Sequence, residues 1–198
     1  MRSLLALSRF IDALNRWVGK GVGWIILIVV VISASNALIR KFFGMSSNAW
    51  LEVQWYMFGA IFLLGAGYTL LNNQHVRVDV LAARWSERAQ VKLDVFGTLV
   101  FLLPMCLTIL WLSWPMALES YFSGEMSSNS GGLIRWPAKM LIPVGFTFLL
   151  LAALSHLIKC VGFLRGVCRN PMKRVDEKTP EELLAEEIAR NAALKEQK

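Results

Sequence analysis

Four apolar runs, at residues 21–39, 49–71, 93–114 and 140–158, each approach the ~20 residues a helix needs to cross a bilayer. No other feature of the sequence limits the fold as strongly. Inside hydrocarbon every backbone N–H and C=O must be satisfied by the chain itself, so segments of this length cross as helices. The expectation is an all-α membrane protein with four transmembrane helices. Composition agrees, since 56% of the 198 residues are hydrophobic and only 18% are charged, against roughly half and a quarter in soluble domains. The membrane unit is expected over residues 1–170, with a charged cytoplasmic tail over 171–198.

Direction follows from the basic residues that flank the spans, because Lys and Arg collect on the cytoplasmic side. Arg2, Arg9, Arg16 and Lys20 precede the first span, and Arg77, Arg84, Arg88 and Lys92 separate the second from the third. Lys159, Arg165, Arg169, Lys173 and Arg174 follow the fourth. The other side holds only Arg40, Lys41, Arg135 and Lys139. Both termini are therefore expected in the cytoplasm. Indole rings favour the headgroup level, and in this register Trp17, Trp24 and Trp85 fall at the inner interface. Trp50, Trp55, Trp111, Trp114 and Trp136 fall at the outer one. Ser35-x-Ala37 would suit signal-peptide cleavage, but the apolar run is long for a signal core and is expected to stay as a span. The net charge of +7 thus reflects membrane topology and not a nucleic-acid surface.

Between spans two and three, Val78, Leu81, Ala82, Trp85 and Ala89 recur at the spacing of one helical face, while Asp79, Glu87 and Arg88 lie mostly opposite. A helix with one charged face, one apolar face and a tryptophan lies in the plane of the interface. An interfacial helix at about 78–91 is expected, with Trp85, Arg84, Arg88 and Lys92 meeting lipid. A solvated loop with some helix is the alternative. His75, Arg77 and Asp79 come where the chain leaves the bilayer, and there they would cap span two or contact another subunit.

The chain carries no GxSxG, HExxH, Walker or GxGxxG pattern. No catalytic residue, metal site or cofactor is expected. Its three cysteines, Cys106, Cys160 and Cys168, show no CxxC spacing and read as small apolar residues. The two histidines, His75 and His156, allow a rival reading as the axial ligands of a haem in a membrane redox subunit. A stand-alone small transporter is a second rival, although broken helices, internal repeats and midplane polar groups are not evident.

Glu52 lies about one turn inside the outer edge of span two, where a charge is costly. It is expected to pair with Arg40 or Lys41, or with another protein. The outer loop is flexible around Gly131–Gly132 and then becomes basic and aromatic at Arg135–Trp136. It reads either as a docking surface or as a re-entry turn. In the tail, Thr179-Pro180-Glu181-Glu182 has the form of a helix start. Leu184, Ile188 and Ala192 add a thin apolar stripe, so a short helix is expected there, as a solvated tail or, alternatively, as a weak docking helix.

Several of these segments together resemble one family. They are Glu52-x-x-x-Tyr56-x-Phe58, then Gly65-Ala66-Gly67-Tyr68, then His75-Val76-Arg77-Val78-Asp79-Val80. Gly131-Gly132-Leu133-Ile134-Arg135-Trp136-Pro137-Ala138-Lys139 and Ile142-Pro143-Val144-Gly145-Phe146 complete the set. Their order, over roughly residues 10–165, is similar to the small, DctQ-type membrane subunit of tripartite ATP-independent periplasmic (TRAP) transporters. The resemblance implies an inner-membrane subunit that scaffolds a large, sodium-driven, elevator-type permease. It also implies a periplasmic binding protein that delivers an organic acid or similar solute. Glu52, Tyr56, His75, Arg77 and Asp79 are then expected at subunit contacts, with Arg135 and Trp136 facing the periplasm.

Overall fold

The computed structural model describes residues 2–45, 47–73, 85–168 and 170–171. Four long helices account for nearly all of it: α1 (Arg2–Phe43), α2 (Asn48–Leu71), α3 (Glu87–Phe122) and α4 (Trp136–Leu164). Each is long and apolar enough to cross a membrane. The described residues contain no strand, only an isolated bridge between Met126 and Ile134. The expected all-α architecture with four apolar helices is therefore present. His75, Arg77, Asp79, Arg84 and the tail from 172 lie outside the described residues, as does the first half of the expected interfacial helix. Trp85 and Ser86 are not helical, and residues 87–91 open α3.

The helices run farther than the apolar blocks. At 1.5 Å per residue, the 42 residues of α1 extend about 63 Å, twice the hydrocarbon thickness. Its buried face explains the extension. Ser8, Asn15, Val22 and Val29 recur every seven residues and are all buried, with Ile11 and Asp12 beside them. A seven-residue seam keeps one stripe of a helix against its neighbours over many turns. Arg9, Arg16 and Lys20 are exposed beside this stripe, so the segment read as a topological signal is also a packed helix.

Span three is one helix interrupted by a π-helical turn at Thr98–Leu102, just before Pro104. Proline lacks the N–H that would bond one turn back, and its ring clashes with that carbonyl. The wider turn absorbs the misfit and the helix continues to Phe122.

α4 is the central element and packs against each of the other three, whereas α3 rests mainly on α4. Its buried positions include Gly145, Ala152, Ala153, Ser155 and Gly162. Small residues let backbones approach, the usual basis of helix association in lipid. At Gly145 the approach is closest to backbone: an added Cβ would lie 2.6 Å from Leu63 Cβ and 2.9 Å from the Leu63 carbonyl oxygen. Gly145→Ala is therefore expected to destabilise the α2–α4 contact by about 1–3 kcal/mol. Gly59→Ala, whose Cβ would meet only Leu141 Cδ1 at 4.0 Å, should be neutral or slightly stabilising. Unfolding of the two variants in detergent would separate them, and equal stabilities would contradict the packing described.

Candidate functional site: polar clamps at the two ends of the bundle

α1 and α3 run opposite to α2 and α4, so the bundle has a loop end, with the α3–α4 connection, and a terminal end, with the start of α1. Ionisable side chains gather at both.

At the loop end, Glu52 is 4% exposed although it sits near the start of a span. Its carboxylate accepts hydrogen bonds from the Leu133 N–H (2.7 Å), Asn129 Nδ2 (2.8 Å) and the Ser127 hydroxyl. All three donors belong to the loop before α4. Buried charge is tolerated where several donors converge on it. Gly132 is required by the same closeness, since a Cβ there would stand 2.9 Å from Glu52 Oε1. The loop is also tied to itself. Ser127 N–H donates to Leu133 O and Arg135 N–H to Glu125 O, each at 2.9 Å. Tyr56 donates its hydroxyl to Ile134 O at 3.2 Å, and Asn48 Nδ2 donates to Ser130 O at 2.9 Å.

Glu125 forms the second layer. It accepts from Lys139, from Arg135 at 3.3 Å and from the Ser120 hydroxyl at 2.9 Å. The Lys139 hydrogen bond, followed by that of Ser120, holds the Glu125 carboxyl below its ordinary range. A cavity of about 200 Å³ opens here, lined in part by Glu52, Tyr56, Asn129, Arg135 and Lys139. Trp136 packs edge-on against Tyr121, with ring centroids 5.2 Å apart.

At the terminal end, Asp12 of α1 meets α4. Its carboxylate accepts from the Ser155 hydroxyl and pairs with Lys159 Nζ, both at 2.5 Å. Ser8 and Ser155 share a 2.7 Å hydrogen bond. One face away, Asp94 of α3 pairs with His156 Nε2, and Cys160 Sγ lies 3.5 Å from that nitrogen. Among the described residues, Asp94, His156 and Cys160 place their ligand atoms close enough together to hold a metal ion.

The residues singled out from the sequence divide into three groups. Glu52, Tyr56 and Arg135 converge on the loop, with Trp136 beside them. Trp85, Arg88 and Lys92 are exposed around the start of α3. His75, Arg77, Asp79 and Arg84 are outside the described residues. Glu52 does bond within the chain, but to the loop and not to Arg40 or Lys41. Sequence reasoning missed the terminal clamp altogether. Its signal was available in Ser8, Asp12 and Asn15, which share one face of α1, and in Ser155 and Lys159, four residues apart on α4, with His156 on the adjoining face. The redox reading finds no support: His156 Nε2 faces Asp94 and Cys160.

The chain matches the family model described as "Tripartite ATP-independent periplasmic transporters, DctQ component" over residues 27–162. No curated protein and no solved structure matches it. The matched region holds Glu52 and its loop, Asp94, His156 and Cys160, while Ser8 and Asp12 precede it.

Two outcomes follow from the loop clamp. Glu52→Gln keeps the shape but turns an amide toward the loop's donors, so protease cleavage within 123–135 should rise about tenfold in detergent. Unchanged cleavage would show that other contacts hold the loop. For Glu125 the folded-state pKa is depressed, so its contribution is present above the ordinary value of 4.5 and is lost as pH falls through the lower folded value. Amide exchange in 123–135, corrected for its intrinsic rate, should be flat from pH 8 to about 5 and rise below about 4.5. Glu125→Gln should reduce that acid step, the remainder falling to Glu52, whose carboxylate accepts hydrogen bonds from the same loop.

Proposed function

The chain belongs to the DctQ component family and is the small membrane subunit of a TRAP transporter; from that premise we propose that it acts as the static scaffold on which a large permease subunit moves its solute. The observation that carries this reading is the placement of its polar groups. Glu52, Glu125, Asp12 and Asp94 are each bonded to other parts of the same chain near one end of the bundle. Between the ends α4 packs on small residues. Such an arrangement resists relative movement of the helices and leaves solute binding to the partner.

In this reading the protein sits in the bacterial inner membrane with both termini cytoplasmic, as the thirteen-to-four bias of Lys and Arg directs. The large subunit imports an organic acid or similar solute by sodium symport. A periplasmic binding protein docks at the loop end, where Arg135 and Trp136 border the cavity and its surroundings. Glu52 and Tyr56 serve docking indirectly, by fixing the loop's shape. His75, Arg77 and Asp79 grip the large subunit at the cytoplasmic exit of α2, and Trp85, Arg84, Arg88 and Lys92 sit among lipid headgroups. The exposed apolar faces of α1 and α3, including Trp24, Leu27, Phe101 and Trp111, meet lipid or the large subunit.

Co-purification tests the proposal. Arg77→Ala and Asp79→Ala should each lower recovery of the large subunit with the tagged small one and reduce solute uptake in proportion. Uptake in liposomes should need both subunits together with the binding protein. Uptake by this chain alone would overturn the scaffold reading.

A further inference from the structure

Asp94, His156 and Cys160 bring together three different donor types from two helices. His156 and Cys160 are four residues apart on α4 and so share a face, while Asp94 reaches them from α3. The contacts converge on the same atoms. Nε2 of His156 is paired with Oδ2 of Asp94, and Cys160 Sγ stands 3.5 Å from that nitrogen and 3.9 Å from that oxygen. An Asp–His pair alone would lock α3 to α4. It gives no reason for a thiol to be seated against both partners, and Cys160 is fully buried in that position.

From this convergence we propose that Asp94, His156 and Cys160 form a binding site for a zinc-class divalent ion that fastens α3 to α4. Tetrahedral zinc, with bonds of ~2.0–2.3 Å to oxygen, nitrogen and sulfur, separates its ligand atoms by roughly 3.3–3.6 Å. The nitrogen–sulfur distance already meets this, and the sulfur–oxygen distance is a few tenths of an ångström longer. Only the carboxylate and imidazole must part, by at most about 1 Å, to admit the ion. Thiolate with imidazole selects zinc-like ions over magnesium or calcium. Carboxylate and thiolate together balance a divalent charge, so the loaded site is neutral, as a membrane helix pair requires. The fourth position is left for water. Because α3 rests mainly on α4, an ion here would secure the helix with the fewest other attachments. The inference is independent of the scaffold reading and stands or falls without it.

Cobalt(II) provides the probe. The full chain, purified in detergent and stripped with chelator, is titrated with Co²⁺. A thiolate-to-cobalt charge-transfer band with tetrahedral ligand-field bands should saturate at one ion per chain and be displaced by Zn²⁺. Cys160→Ser, nearly isosteric, should abolish the charge-transfer band, and Asp94→Asn should weaken binding by about tenfold or more. Cys106→Ser and Cys168→Ser should retain the band. Zn²⁺ should also raise the unfolding midpoint of the parent chain but not of Cys160→Ser. No band in a parent chain of native helicity, a band that persists in Cys160→Ser, or one that Cys168→Ser removes would each overturn the proposal.

Discussion

A carboxylate within or beside a bilayer persists only where donors meet it, and that requirement organises this molecule. Each of α1, α2 and α3 carries one such group toward α4 or the loop that leads into it. Asp12 meets Ser155 and Lys159, Asp94 meets His156, and Glu52 meets Leu133, Asn129 and Ser127. Removing one partner of a buried ion pair costs more than the pair contributes, because a charge is left stranded. These contacts therefore act chiefly as register marks. A slip of one turn along any helix would separate a carboxylate from its donors.

Between the marks, packing is made of small side chains. Gly145 admits the α2 backbone at Leu63, and Ala152 and Ala153 of α4 are fully or almost fully buried. Lipid offers no hydrophobic drive for helices to associate, so close backbone contact and interhelical hydrogen bonds carry the association. The polar clamps and the small-residue seams thus divide the work, the first setting position and the second supplying contact area. What remains on the outside of α1 and α3 is a broad apolar surface suited to lipid or to a larger membrane partner.

The four spans were legible in the sequence because hydrophobic length is a direct physical requirement of a bilayer. Their true ends were not. Residues 2–20 continue α1 because Ser8 and Asn15 occupy seam positions, and a polar residue in a seam hides the periodicity that reveals it. The role of Glu52 was half legible: its cost near the bilayer demanded a partner, but the partners were backbone and amide donors some eighty residues away. No local rule ranks those above the nearer Arg40. The Asp94–His156–Cys160 cluster was least visible, since one member comes from another helix and metal-site reasoning from sequence looks for paired cysteines or histidines at short spacing. The loop at 123–135 read as flexible from its glycines, yet Gly132 is there to admit the Glu52 carboxylate.

The family to which the chain belongs supplies the setting, and the clamps supply a mechanical reason for its part in it. In the proposed scaffold role, α1 and α3 are fastened to α4 at the terminal end and α2 to the loop before α4 at the other, which would hold the four helices together as one body. That account requires the Glu52 loop and the Asp12 and Asp94 clamps to lie on opposite faces of the membrane. The direct measurement is antibody access to epitope tags at the N-terminus, after Ser128 and at the C-terminus, in intact and permeabilised spheroplasts. The account predicts that the Ser128 tag alone is reached from outside, with both termini revealed only on permeabilisation. A terminus and the Ser128 tag exposed on the same face would contradict it.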